Sequence, residues 1–414
     1  MLFFLWLGYI SSFAQVNKPN YTTDSQPITT TGISLPQLIT TDLNRSELQF
    51  GVNLSNGFNQ PNFTVNFKKL ISDKNKQLTI TSSAQMNHSL SFSRLDRQSF
   101  YNLNSLSLNL GADLKLFNKN NYFIQIATQN RITKYGGFKE FDFISTNNSI
   151  TLGIGKGRID FVNDGAAAIS IVEKLSEYGI LKRDLSNEEY VLLTQRVREL
   201  KKRRKFVNRS FPLTESEEIQ DLLMTFGLLN EDEDVTAIIN DAYKFEPMLD
   251  RTVGSQFKIA ATGSYSDSNL SHSYGNIELS ASLSYMIHSP INSKWQYNKG
   301  IIGYISTSEH SLEDPTISED RLEKASIGIK NDLHYLVDTR TRLSFLSEVG
   351  YLFMNKILIL DPLGTQLYDD KGFYLNTRTE IEYQISRIMS TTFGLNLRFA
   401  PKNTYTGLSL GLNF

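Results

Sequence analysis

The chain has 414 residues, a net charge of −1 and a mean hydropathy of −0.28, so no overall field draws it to nucleic acid or to acidic surfaces. It contains no cysteine, which excludes disulfides, thiol catalysis and Cys-ligated zinc. No internal stretch reaches the roughly 18 apolar residues of a membrane helix, a test that says nothing about strands, which need a lipid-facing residue only at every second position.

Residues 1–15 read as a signal peptide. Leu2 to Ile10 supply an apolar core, and Ser12-Phe13-Ala14 is a small-x-small cleavage pattern. Residues 16–45, rich in Thr, Asn, Pro and Ser, read as an extended periplasmic lead-in. A period of two then governs residues 46–155, the sign of strands with one greasy and one wet face. Leu48, Phe50, Val52 and Leu54 open it, and Phe63, Val65 and Phe67 follow. Leu106, Leu108, Leu110, Leu114 and Leu116 alternate with Ser105, Ser107, Asn109, Gly111, Asp113 and Lys115. Ile124, Ile126, Ile150, Leu152 and Ile154 carry the pattern on. Residues 76–93 are polar and alternate least.

Residues 156–251 break the period and predict an α-helical insertion. Ala166 to Leu175 form one apolar helix, with Asn163 or Asp164 expected as its cap and Gly179 as its stop. Ser186-Asn187-Glu188-Glu189 is a capping box that opens a second helix, striped by Tyr190, Leu193, Val197 and Leu200. Thr214 to Glu217 spell a second box ahead of Ile219, Leu222 and Leu223, and residues 230–243 suggest a fourth helix. The second helix ends in Lys201, Lys202, Arg203, Arg204 and Lys205. Cations there complement the helix macrodipole; the same run is the candidate surface for a periplasmic protein partner or an anionic lipid.

Residues 252–414 return to the period of two. Ile277, Leu279, Leu283 and Tyr285 are one apolar face, Ile327, Ile329, Leu333 and Tyr335 another, and Val349, Tyr351 and Phe353 a third. The inward faces then hold Lys330, Asp332, His334, Glu348, Arg378, Glu380, Glu382 and Arg398. Charges of both signs can line a water-filled pore or cross-link a closed one. The chain closes on Leu408, Leu410, Leu412 and Phe414, alternating with Gly407, Ser409, Gly411 and Asn413.

The count is about 14 strands, within 12–16, most of them 10–15 residues long. Soluble strands usually run to about 5 or 6 residues, whereas a tilted membrane strand needs roughly 9–11. The predicted fold is therefore all-β and transmembrane: an antiparallel up-and-down β-barrel with a helical insertion. Counting back from the last strand puts long outer loops at 308–322 and 355–371, and the insertion and both termini on the periplasmic side.

A terminal Phe after alternating hydrophobics resembles the C-terminal signature of Gram-negative outer-membrane barrels, and the resemblance covers most of 46–155 and 252–414. It implies that the last strand is read by the barrel-assembly machinery and closes against the first, with outer-membrane lipid around the wall. The implied activity is porin-like passage of a solute, with the insertion plugging the lumen or docking a partner. A non-conducting scaffold or assembly component of an envelope complex is the second reading, and an outer-membrane hydrolase the third. Lys330, Asp332 and His334 share one face, and an Asp beside a His can support proton transfer; since every inward face here is polar, a plain lumen lining is the stronger reading. The sequence shows no H-E-x-x-H, no Walker loop and no G-x-G-x-x-G ahead of a helix, and no catalytic, cofactor or metal residue is assigned.

Overall fold

A computed structural model of the chain describes residues 35–38, 43–55, 60–92, 100–136, 143–203, 212–230, 234–244, 251–268, 275–292, 294–310, 317–337, 341–360, 364–386, 389–400 and 403–413. The expected signal peptide, Phe414, Arg204 and Lys205 lie outside the described residues.

Fourteen antiparallel strands follow one another around a closed barrel. They are β1 (Leu43–Ser55), β2 (Gln60–Ser72), β3 (Lys76–Phe92), β4 (Phe100–Phe117), β5 (Tyr122–Gly136) and β6 (Phe143–Phe161), then β7 (Thr252–Ser268), β8 (Asn276–Pro290), β9 (Trp295–His310) and β10 (Ile317–Leu336), and last β11 (Thr341–Leu360), β12 (Gly364–Ser386), β13 (Met389–Ala400) and β14 (Asn403–Asn413). Each strand pairs with its neighbours in sequence, and β14 returns to β1 through Val52↔Leu412 and Leu54↔Leu410. Over Gly51 to Leu54 this closure pairs the first edge of the sheet with the last, which is what spares a barrel an open edge in lipid. Leu408 stands opposite Leu395 of β13.

Lengths run from 11 residues in β14 to 23 in β12. The polar segment from Lys76 is a full strand of 17 residues, because its outward side needs only Leu78, Ile80 and Met86 to be apolar. The expected long loops at 308–322 and 355–371 are corrected. Strand β9 runs to His310, β10 starts at Ile317, β11 runs to Leu360 and β12 starts at Gly364. Broken alternation there looks like loop composition, but the strands reach into both segments as paired backbone and extend beyond the apolar band.

The outer wall is apolar and uncovered by protein. Leu152, Ile154, Leu279 and Ile327 are 58–62% exposed. Polar side chains fill the inside instead: Gln77, Ser107, Gln125, Gln296 and Asn298 are buried. Aromatics mark the edges of the outer band. Trp295 stacks on Tyr335 at 4.3 Å, and Tyr351 meets Phe373 edge-on at 5.3 Å. Phe373 and Tyr383 bound the band on β12, ten residues apart. That is roughly 33 Å along the strand at ~3.3 Å per residue, or roughly 25 Å at a tilt of about 40°, the height of a lipid-facing band.

Among the described residues between β6 and β7 lie four helices: α1 (Asn163–Glu177), α2 (Asn187–Lys202), α3 (Pro212–Thr225) and α4 (Thr236–Lys244). Their stripes meet one another. Ile171, Leu193, Val197, Ile219, Leu223 and Ile239 are fully buried in one apolar cluster. Leu38, from the short 3₁₀ turn Leu35–Leu38, joins that cluster. Gly165 admits it, since a Cβ at 165 would stand 2.4 Å from the Leu38 Cβ. Two cap expectations are corrected. Asn163 and Asp164 lie inside α1, which starts after Val162 without a side-chain cap; Asn163 Oδ1 instead accepts from the Arg251 backbone N–H at 2.7 Å. Helix α3 starts at Pro212, ahead of the box at Thr214, because proline's fixed φ suits a first helical turn.

Candidate functional site

Strand parity turns the even residues of β8 to β13 and the odd residues of β3 to β5 into the lumen. The predicted lumen residues of β10 to β12 form one continuous patch, since Lys330 stands opposite Glu348, and Arg342 opposite both Leu336 and Glu382. Lys330 Nζ reaches Asp332 at 3.3 Å, and Arg342 reaches Glu382 at 2.5 Å. Arg378 pairs with Glu380. His334 Nδ1 shares a hydrogen bond with Ser344 Oγ at 2.9 Å, and Ser344 is buried. Arg398 stands opposite Asn376 on β13; its side chain lies outside the described residues.

Alternation tells which way these residues face but not what they touch, so several partners were not legible. Tyr374 is one. Its ring lies over Gly350, where a Cβ would be 2.7 Å from it, and its hydroxyl donates to Glu348 at 2.6 Å. Tyr304 likewise donates to Glu278 at 2.5 Å. For Tyr374 the glycine opposite it is a sequence signal of the contact; Tyr304 stands opposite Ser282 and Ser326 and has none. The sequence also spells G-x-S-x-G at Gly407 to Gly411. It lies inside β14, without the strand-to-helix turn that gives that pattern its chemistry.

At the insertion end the β6–β7 wall leaves the cylinder. Gly157 and Gly254 have φ of +94° and +120°, a region that favours glycine. A Cβ on Gly157 would lie 2.2 Å from the Ser255 oxygen, and one on Gly254 2.2 Å from the Arg158 oxygen. The bend carries β6 inward to β3, where Gln77 Nε2 donates to the Ile159 oxygen at 2.9 Å. Arg158 then reaches the β2–β3 turn, donating to Ser72 Oγ at 3.0 Å and the Asp73 oxygen at 2.7 Å, while pairing with Asp160 at 2.5 Å. Lys115 of β4 donates to Gln256 of β7 at 2.9 Å. Inward Phe117 and Phe123 fill the space between, 5.4 Å apart. This side of the mouth is packed.

The insertion is tied to the rim by Arg251. Its guanidinium is fully buried and donates to the Asn292 oxygen at 2.8 Å. Burial pulls its pKa down to about 10, partly opposed by the charge of Glu173, so it stays a cation at neutral pH. The candidate basic run is partly spent inside the insertion. Lys201 Nζ reaches Asp164 at 2.9 Å and Arg203 reaches Glu218 at 2.9 Å, while Lys202 is exposed.

The box at Ser186 forms as the sequence predicts: Glu189 N–H donates to Ser186 Oγ at 3.2 Å, and Ser186 N–H donates to Glu189 Oε2 at 2.7 Å. Arg183 adds two hydrogen bonds to the same carboxylate, at 2.7 and 2.8 Å. Those bonds, above all from Arg183, hold the Glu189 pKa down at about 2. A lowered carboxylate pKa gives stability that is present above the unfolded value and lost as pH falls toward the folded one. The insertion of the full chain, followed by helical circular dichroism in urea, should therefore hold constant stability down to about pH 4.5 and weaken from there toward pH 2. Glu189→Gln should flatten that window and cost about 1 kcal/mol at neutral pH. An unchanged profile in the variant would assign the acid weakening to other groups.

No protein-family model matches the chain, and no curated protein matches it. Among solved structures it is similar to the alcaligin outer-membrane receptor FauA from Bordetella pertussis, at 6% identity and a TM-score of 0.31, over 90% of this chain and 75% of that one. It is similar to CdiB from Acinetobacter baumannii at 10% identity and a TM-score of 0.35, over 90% and 60%. The translocator domain of the autotransporter NalP from Neisseria meningitidis gives 7% and 0.27, over 90% and 86%. All three TM-scores are below 0.5, and the character of this chain rests on its own wall and lumen: an outer-membrane type of β-barrel, apolar outside and polar within.

Proposed function

We propose that this barrel sits in a bacterial outer membrane and gives passage to a small polar or amphiphilic solute, with the insertion and both termini in the periplasm. The insertion docks a periplasmic partner or anionic lipid rather than plugging the lumen. The single observation that carries this reading is where the two kinds of side chain are spent. The lumen keeps charges of both signs along β10 to β12, while the helices bury their apolar stripes in one another. Among the described residues, stripes spent on one another in this way make little apolar demand on the lumen. The orientation is supported by the short turns at the insertion end, such as 73–75 and 118–121, and by the projection of β10 to β12 at the other.

Planar-bilayer recording tests it, comparing the full chain with a variant whose residues 164–248 are replaced by a short Gly-Ser linker. Both should conduct, with similar single-channel conductance. A large rise on deletion would show that the helices occlude the pore. Silence in both forms would favour the scaffold reading, which draws on the packed mouth around Arg158, Phe117 and Phe123. The hydrolase reading gains no support from His334, whose partner Ser344 is buried in the wall.

A further inference from the structure

The outer wall of a barrel is convex, yet an open apolar groove of about 510 Å³ interrupts it at the insertion end of β4 to β7. Two register rows form its outward side, and Phe117, Phe123 and Gly155 line it from between the strands. Leu116, Ile124, Ile154 and Ile259 stand opposite one another across the four strands, and Tyr122, Lys156 and Phe257 form the next row toward the rim. Leu116, Ile124 and Ile154 are 49–62% exposed, and all face outward. The groove has a physical cause. Beyond Lys156, β6 and β7 bend inward at Gly157 and Gly254, while the β4–β5 turn holds its place and accepts from the Gly157 N–H through the Asn121 oxygen at 2.9 Å. The surface therefore steps inward just below an apolar row.

The charge at this step is placed with equal specificity. Lys156 Nζ lies over the Tyr122 ring at 5.0 Å, and Lys156 is exposed. An exposed Lys119 follows Asn118, which lines the groove. A cation over an aromatic at the water boundary, with branched aliphatics leading into the hydrocarbon, matches one amphiphile: a phosphate at the rim and a chain along the wall.

We propose that this groove is a binding site for one anionic phospholipid of the leaflet on the insertion side, its phosphate on Lys156 and an acyl chain along Ile124, Ile154 and Ile259. The site rests on the reading that lipid covers the outer wall, and on nothing about the pore. The lipid braces the place where β6 and β7 leave the cylinder to become the insertion.

Native mass spectrometry of the full chain released from detergent micelles tests the site, with phosphatidylglycerol as probe and phosphatidylcholine as control. Wild type should retain one phosphatidylglycerol in preference to phosphatidylcholine. Lys156→Ala should weaken that retention about fivefold, the effect of one cation on anionic lipid at a membrane surface, and Lys156→Arg should keep it. Ile154→Trp, which fills the groove, should reduce both lipids. A heat-modifiable gel shift identifies any variant that fails to fold; the lysine pair tests the site without the bulky change. Equal retention of both lipids by wild type, or wild-type retention by Lys156→Ala, overturns the site. Either result in a protein that still shifts and conducts leaves the barrel and pore reading intact.

Discussion

Leu152→Arg should cost the barrel about 2–4 kcal/mol when it folds into a bilayer, the price of a cation near the middle of the lipid-facing band. Leu152 is 58% exposed and sits between outward Ile150 and Ile154, with Asn148 and Lys156 beyond them. A 58% exposed leucine on a water-soluble protein would tolerate arginine within about 0.5 kcal/mol. The two environments therefore predict opposite results for one change. Ser149→Arg, three residues back and facing the lumen, should cost less than about 1 kcal/mol, because water-facing charge is already common there. Urea-driven unfolding from phospholipid vesicles gives both numbers. If Leu152→Arg is as harmless as Ser149→Arg, the outer face is not in lipid, and the membrane reading fails with it.

Asp164→Ala should remove about 3 kcal/mol from the insertion. The Asp164 side chain is 4% exposed and holds Lys201 Nζ at 2.9 Å, with Arg198 Nε at 3.5 Å. These cations are themselves only 12% and 20% exposed. Removing the carboxylate that two largely buried cations share typically costs 3–5 kcal/mol; the partial exposure of the cations favours the lower end. The loss should appear as an earlier helical transition in urea while the barrel's gel shift is unchanged. Pairing it with Lys201→Met should recover part of the loss, since the stranded ammonium goes too. Lys202→Ala, on the exposed side of the same run, should stay within about 0.5 kcal/mol. Equal effects from Asp164 and Lys202 would make the run an ordinary solvated helix end.

These results divide along the line between pattern and partner. Facing is a local property: a strand turns alternate side chains to opposite faces whatever lies beyond it. That Lys330, Asp332 and His334 share one face of their strand, and Arg378, Glu380 and Glu382 one face of theirs, was therefore legible, as was the box at Ser186, whose bonds span three residues. Asn163 shows the limit. Its composition reads as a helix cap, yet its oxygen goes to the backbone of Arg251, 88 positions away. The segments 308–322 and 355–371 show another. Their broken alternation signals loop, because residues beyond the lipid band need not alternate, although the backbone pairs at 308–310, 317–322, 355–360 and 364–371.

The sequence by itself determined that most of some 14 strands alternate apolar with polar side chains, that a helical island interrupts them, and that its second helix is capped at Ser186, because periodicity and capping are set by residues a few positions apart. Only the tertiary structure decided that Tyr374 lies on Gly350, that Arg158 reaches Ser72, that Lys201 is spent on Asp164, and that the wall steps inward at Gly157 and Gly254. The contacts behind them join residues 24 to 98 positions apart. What brings such residues together is the curvature of the closed sheet and the packing of the bundle, and neither leaves a mark on the local pattern.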